Sequence, residues 1–449
     1  MSAAGASTYF PLGPGFAGQR YAVLGLARTG LATVGALLSA GAAVLAWDDK
    51  LEAREAATAL GAEIADLMAE DLAGLDGLLV SPGVPINKHP LADRARAAGV
   101  PILGDIELFA RARAHLPPHK VVAITGTNGK STTTALIHHI VEAAGVPAML
   151  GGNIGLPVLG QQPLPAGGVY VLELSSYQID LTHALACDVT VLTNITPDHL
   201  DRYGYDFMAY AAAKERLFTM QTADQTAVIA CDDDPSRMIA SRVAHHLVRV
   251  SAADINAADQ AHWPALQGPH NAQNAACAIA ACRALGVDDA DIAKGLASFP
   301  GLAHRMERVG EVDGVLYVND SKATNAASSA PALAAYPPTN GSPRIHWIVG
   351  GLAKGEGIGE CESWLAHVAH AWLIGDAAPM LERVIAGRVP TTLAGALDVA
   401  VTMAAQAAHA GDVVLLSPAA ASFDQFRDFE ARGDAFRAAV AALKQGAEA

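Results

Sequence analysis

The sequence predicts an α/β fold in three domains, and three observations carry that expectation. Its 449 residues amount to about three domains at roughly 150 residues each. Apolar runs of strand length alternate with helical patterns from end to end, as in parallel sheets flanked by helices. Hydrophobic residues make up 51% and charged residues 17%, enough apolar side chain for several cores and too little charge for a disordered chain.

The first block reads YAVLGL (21–26), a helix from Thr29, AAVLAW (42–47), LLVSPG (78–83) and PILGD (101–105). A second begins at KVVAITGTNGKST (120–132) and continues through VYVLELSS (169–176), DVTVLTN (188–194) and a helix near 206–221. The third follows FPGLAHR (299–305), with strands at VLYVND, IHWIVGG, AWLIG and DVVLLSP. These blocks set the expected domains at 1–104, 105–301 and 302–449.

Charge and composition exclude several classes. Lys plus Arg is 30 and Asp plus Glu 45, a net −15, which opposes broad binding to nucleic acid or an anionic membrane. Residues 143–172 are uncharged, but Pro147, Pro157, Pro163 and Pro165 break any spanning helix there. Five cysteines form no C-x-x-C pair, so neither a disulfide framework nor structural zinc is expected. The first residues lack a basic and then apolar leader pattern, and a cytoplasmic protein is expected.

Between the strand at 121–124 and the helix at 132–144 lie Gly126, Thr127, Asn128, Gly129, Lys130 and Ser131. Small residues there let backbone N–H groups turn toward a phosphate at a helix N-terminus. Lys130 neutralises terminal phosphate oxygens and Ser131 offers a hydroxyl to Mg²⁺. Ile124 stands where the strict P-loop pattern has its first glycine, yet the strand–loop–helix context predicts ATP binding in a central P-loop domain. The first block holds Gly25-Leu26-Ala27-Arg28-Thr29-Gly30 with Asp48 ending the next strand, a Rossmann-like turn. Its middle glycine is missing, which disfavours NAD and leaves another nucleotide-bearing ligand or a structural turn.

Glu173 closes a strand and His199 comes after another, and both are expected at the sheet's C-terminal rim, where a divalent cation on phosphate oxygens would need them. Lys214 is expected on the apolar stripe of its helix with Phe207, Tyr210, Ala211, Leu217 and Phe218, whereas Glu215 and Arg216 point away. Either its stem packs while the ammonium reaches water, or the amine is desolvated and reactive. The turn Cys231-Asp232-Asp233-Asp234-Pro235 reads as solvated.

TGTNGKST, GGNIG (151–155), LELSSYQ (172–178), TPDHLDRY (196–203), the Lys214 helix, GPHNAQN (268–274) and LAHR (302–305) together resemble the ATP-dependent Mur ligases, which build the peptide stem of bacterial peptidoglycan. DIELF (105–109), NDSKATN (319–325) and LLSPAAASFDQFRDFEARG (415–433) resemble the branch that adds D-glutamate to UDP-N-acetylmuramoyl-L-alanine. The resemblance implies a Rossmann-like first domain for the UDP-substrate, a P-loop second domain for ATP, and a Rossmann-like third for the amino acid. It implies an acyl-phosphate route, two Mg²⁺ sites, a carbamate on Lys214, and a monomer without nucleic-acid or membrane partners.

The implied site residues follow position by position. ATP would meet the loop from Gly126 to Thr132 together with Asn271, Asn274, Arg305 and Asp320. Metal would meet Ser131, Glu173, His199 and Lys214. The UDP-substrate would meet Arg28, Thr29, Asp48, Lys50, Ser81, Gly83, Asn153 and His199, with Asn87 close by. D-Glutamate would meet Lys322, Thr324, Lys354, Ser422 and Phe429. A phosphoryl-transferring P-loop enzyme and a non-catalytic nucleotide sensor remain as alternatives, but the first leaves NDSKATN and SFDQF without a role.

Overall fold

The computed structural model describes residues 9–353 and 355–447. The chain divides into two compact units, Met1–Asp254 with Gln273–Leu296, and Ile255–Ala272 with Ala297–Ala449. The first unit carries two parallel sheets and the second a mixed one, so three sheets realise the expected α/β class.

In the first sheet the strands run Glu63–Ile64, Ala43–Trp47, Arg20–Leu24, Gly77–Val80 and Ile102–Leu103, all parallel. This is the doubly wound order, whose switch point lies beside the central strand where Leu24 and Val80 end. The second sheet runs His246–Val250, Thr226–Ala230, Val189–Leu192, His119–Thr125, Gly168–Glu173 and Ala148–Gly152, again all parallel. His119–Thr125 sits between the strands that end at Leu192 and Glu173, so three functional loops leave adjacent strands at one edge. Its neighbours are apolar runs buried on both faces, as central parallel strands require.

The first two sheets share one apolar core. Phe109, on helix Asp105–Ala112, lies 5.8 Å from the Phe10 ring and 5.0 Å from the Tyr170 ring. Buried Glu107 on that helix accepts from the backbone N–H groups of His183 (2.7 Å) and Ala184 (3.0 Å) and pairs with Arg111.

In the second unit the order is Glu307–Val312, Val315–Asn319, Val413–Leu416, Ile345–Gly350, Val368–Ile374 and Thr391–Gly395, with only the first pair antiparallel. Strand alternation sends Trp347 and Val349 to one core and Ile348 to the other. Reading apolar runs alone overlooked Glu307–Val312, a half-exposed polar edge, and Ala148–Gly152, a short glycine-ended edge. No described helix is long and apolar enough to cross a membrane.

Candidate active site

The phosphate loop is built by crowding. Gly126 has φ +148° and a Cβ there would fall 2.0 Å from Thr193 Oγ1; Gly129 has φ +80° and its Cβ would fall 2.1 Å from Asn274 Oδ1. Both positions therefore exclude side chains. Ile124 is wholly buried inside the strand, which explains why no glycine is needed there: the turn begins only at Gly126. Helix Lys130–Ala143 starts directly after Gly129, so its unpaired N–H groups end at the loop. Lys130 Nζ donates to Gly126 O (3.0 Å) and Thr127 O (2.8 Å), and Ser131 is buried.

Uncharged side chains and one backbone bond fasten this loop. Thr193 Oγ1 donates to Asn128 O at 2.7 Å, and Thr127 N donates to Asn194 O at 2.8 Å. The Thr127 hydroxyl bonds Thr196 O and the Tyr210 hydroxyl, each at 3.0 Å.

Glu173 ends its strand and is buried, with Oε1 accepting from Asn153 Nδ2 at 3.0 Å. Its Oε2 is buried without a hydrogen-bond partner. Such an oxygen is costly unless a cation or donor meets it. Asn153 is brought there by the tight turn at Gly152, whose Cβ would fall 2.1 Å from Glu173 O. His199 sits at a left-handed residue before the short helix Leu200–Tyr203, half exposed, with its ring 5.5 Å from that of Tyr177.

Lys214 lies on helix Phe207–Thr219 and is only 2% exposed, so its ammonium does not reach water. Nζ donates to Gly126 O at 2.7 Å and stands 4.6 Å from the centre of the Tyr210 ring. Burial first, and then the charge of Lys130, hold its pKa well below the ordinary lysine value, against the pull of Asp198, Asp180 and Glu173. The ammonium is therefore desolvated rather than carried out to water by its stem. Among the described residues no group of three or more His, Cys, Asp or Glu is placed to hold a metal ion. The orphaned Glu173 oxygen beside a phosphate loop nevertheless fits Mg²⁺, which takes one or two carboxylates and completes its shell with phosphate oxygens and water.

On helix Pro269–Leu285, Asn271 and Asn274 are both buried. Asn271 Nδ2 donates to Gln267 O (3.0 Å), and Asn274 Oδ1 accepts from Thr133 Oγ1 (3.2 Å). Part of the Asn274 amide is thus committed to the phosphate-loop helix. The acidic turn is also more than a solvated surface. Asp233 caps helix Asp234–Arg242 through Ser236 N and accepts from Ile195 N at 3.3 Å.

At the first sheet's switch point, Ser81 Oγ donates to Gly25 O at 2.6 Å. Gly30 approaches the same carbonyl so closely that a Cβ would fall 1.9 Å from it. Asp48 spends both oxygens on backbone, accepting from Leu26 N (2.7 Å) and Lys50 N (2.9 Å), and so shapes the turn. Arg28, Lys50, Gly83 and Asn87 are exposed near that edge and Thr29 is half-buried. Asn87 Nδ2 donates to Arg202 O at 2.5 Å.

In the second unit, Asp320 follows its strand, buried, accepting from Ser417 Oγ (2.8 Å) and Met306 N (3.2 Å). Burial raises its pKa to about 7. The Lys322 ammonium lies 4.0 Å above the half-buried Phe429 ring, Ser422 is buried, and Arg305 and Thr324 are half-buried. Lys354 lies outside the described residues.

Sequence reasoning missed Arg432. Only 1% exposed, it donates to Ser321 Oγ (3.0 Å), Ser321 O (2.9 Å) and Ala420 O (3.1 Å), joining NDSKATN to the loop before SFDQF. The signal was present: Phe429, Arg432, Phe436 and Val440 follow helical spacing, which puts the arginine on an apolar stripe as Lys214 is.

Comparison with known proteins yields three family models in chain order: the Mur ligase MurD-like N-terminal domain at 19–104, the Mur ligase middle domain at 124–265, and the Mur ligase glutamate ligase domain at 304–420. The chain is 65% identical to the UDP-N-acetylmuramoylalanine--D-glutamate ligase of Sphingopyxis alaskensis, over 95% of this chain and 98% of that one. It is 59% identical to the enzyme of that name from Novosphingobium aromaticivorans, over 97% of each chain. Its fold is similar to the crystal structure of UDP-N-acetylmuramate-alanine ligase from Thermotoga maritima, with a TM-score of 0.57, 17% identity, and coverage of 95% of this chain and 99% of that chain.

Proposed function

This chain belongs to the Mur ligase family, and from that premise we propose that it is the ATP-dependent ligase joining D-glutamate to UDP-N-acetylmuramoyl-L-alanine in peptidoglycan precursor synthesis. The observation that carries this reading is the sequence match to D-glutamate ligases along nearly the whole chain. The family resemblance implies the chemistry. A terminal alanine carboxylate oxygen attacks the γ-phosphorus of ATP, the bond to ADP breaks, and an acyl phosphate forms. The D-glutamate amine then attacks the acyl carbon, the carbon–oxygen bond to phosphate breaks, and the nitrogen loses its proton.

Lys130 leaves its two loop carbonyls to pair with the β- and γ-phosphates, while loop N–H groups and the helix N-terminus hold the remaining oxygens. Ser131 would hold one Mg²⁺, and Glu173, His199 and Lys214 a second; bound there, the ions neutralise charge that otherwise keeps two anionic reactants apart. Glu173 contributes its unpartnered Oε2, and Asn153 fixes its other oxygen. The depressed basicity of Lys214 favours a neutral amine that adds to carbon dioxide and loses a proton, leaving a metal-binding carbamate.

We assign 1–104 to the UDP-substrate through Arg28, Thr29, Asp48, Lys50, Ser81 and Gly83, with Asn153 and His199 on the muramoyl–alanine arm. Residues 105–301 take ATP, with Asn271 and Asn274 toward adenine. Residues 302–449 take D-glutamate through Lys322, Thr324, Lys354, Ser422 and Phe429, with Arg305 and Asp320 toward the nucleotide. We read the protein as a cytoplasmic monomer. The test is ADP release measured with each substrate omitted in turn. It should require both UDP-N-acetylmuramoyl-L-alanine and D-glutamate; equal turnover with L-glutamate, or without the muramoyl substrate, would refute the reading.

A further inference from the structure

We propose that Asn194 and Gln273 are positioning residues for the nucleotide, forming with Asp232 a hydrogen-bonded relay that sets the conformation of the phosphate loop. This rests on the ATP-dependent reading above and adds to it residues that do not themselves touch the substrate.

The relay starts at the loop. Asn194 Oδ1 accepts from Asn128 N at 2.8 Å while its Nδ2 donates to Asn128 O at 3.0 Å, so one side-chain amide brackets both backbone polar groups of a single loop residue. A primary amide is the smallest side-chain group that supplies donor and acceptor in that fork. The same Nδ2 donates to Gln273 Oε1 at 3.2 Å, and Gln273 Nε2 donates to Asp232 Oδ2 at 2.7 Å. Asp232 is itself anchored, accepting from Ser251 Oγ at 2.7 Å and from Ala252 N.

Each donor meets an acceptor along the line, so the orientation of both amides is determined. If Gln273 were reversed, its NH₂ would face the Asn194 NH₂ and its oxygen would face a carboxylate. Gln273 also adjoins Asn274, whose Oδ1 crowds Gly129 and accepts from Thr133. One helix thereby grips the phosphate loop at two points: directly at Gly129, and through Asn194 at Asn128. Loop N–H groups aimed at a phosphate act only when held before the ligand arrives, and the relay supplies that hold without occupying the anion's place with a charge. It also explains Asp232, whose acidic turn the ligase chemistry leaves unused.

The experiment is ATP binding to the full chain by titration calorimetry, with the KM for each substrate measured in parallel. Asn194→Ala is expected to weaken ATP about tenfold and Gln273→Met about threefold, the sizes of one or two lost hydrogen bonds. The double variant should match Asn194→Ala alone, because Gln273 acts through Asn194. Gln273→Glu, which sets a carboxylate against Asp232, should weaken ATP as well. Asp232→Asn combined with Gln273→Glu should restore affinity to within about twofold, since donor and acceptor then match again. KM for D-glutamate and for the muramoyl substrate should stay in place throughout.

Wild-type affinity in both Gln273 variants, multiplicative losses in the double variant, or no restoration by the exchanged pair would overturn the relay. If Asn194→Ala fails to fold, the half-exposed Gln273 series decides alone. Wild-type ATP binding without turnover on the two substrates would count against the ligase reading, while the affinities would still judge the relay.

Discussion

Among the described residues, two basic side chains are buried beneath strand-end loops, Lys214 under the phosphate loop and Arg432 under the loops of the third sheet. Each sits on the apolar stripe of a helix and each donates to backbone carbonyls of the loop above it, Gly126 O in one case, Ser321 O and Ala420 O in the other. Their chemistry diverges because their head groups differ. The compact ammonium of Lys214 meets one carbonyl and the Tyr210 ring, and burial drives its pKa far down. The guanidinium of Arg432 reaches three acceptors at once, and burial lowers its pKa only to about 10, so it stays charged. The first is held away from its charged form, and the second is a permanent brace. Burial of a charge alone does not reveal a reactive group; the number of acceptors and the group's intrinsic basicity decide.

The comparison breaks most visibly at Lys214. Lys214→Ala should lower turnover by about a thousandfold or more, roughly 4 kcal/mol, with partial recovery on adding a short-chain carboxylic acid; unchanged turnover would remove the carbamate from the scheme. Arg432→Met should instead act on stability, costing about 3–4 kcal/mol because three buried acceptors lose their donor. Thermal melts compare it with Lys214→Met, which removes one donor from a carbonyl that Lys130 also serves and should cost less. Equal losses at the two positions would dissolve the distinction.

The acids beside these cations sharpen it further. Burial raises Asp320 to about 7, above its unfolded value near 4. The folded state then holds a proton that the unfolded chain has released. Its stabilising contribution is complete below about pH 4 and is lost as pH rises through about 7. Asp320→Asn should remove about 2–3 kcal/mol of pH dependence between pH 5 and 8, read as the difference between wild-type and variant melts. A variant slope equal to that of the wild type would mean that Asp320 ionises normally. The smallest effect is expected at Tyr210→Phe, which deletes one hydrogen bond to Thr127 but keeps the ring beside Lys214, about 1 kcal/mol in denaturant unfolding. A much larger loss of activity would give the hydroxyl a role in the reaction.

How much of this was legible depended on the range of the forces involved. Gly126, Gly129, Lys130 and Ser131 are neighbours in sequence, and a strand, a glycine turn and a helix start announce themselves locally. Glu173 and His199 were singled out because one ends an apolar run and the other follows one, and strand ends of a parallel sheet share one edge. Lys214 was found by helical spacing, and the same spacing marks Arg432, which was passed over because arginine on an amphipathic helix ordinarily reaches solvent with its head group. Asn194 and Gln273 had no local signal. They lie 66 and 145 positions from Asn128, and polar amides of that kind are common on surfaces.

From its residues alone the chain determined its α/β class, its three-sheet plan and the position of its phosphate loop, because period, turn chemistry and helix starts act over a few residues. Tertiary structure decided which side chains are stripped of water and which atoms they face. It withdrew Lys214 from solvent, left one oxygen of Glu173 without a protein partner, and committed Asp48 to backbone amides. It also turned a glutamine and an acidic turn into supports for a loop far away in sequence. Desolvation and hydrogen-bond pairing depend on what packs against a group from distant parts of the chain, and that is set only when the sheets have closed over their cores.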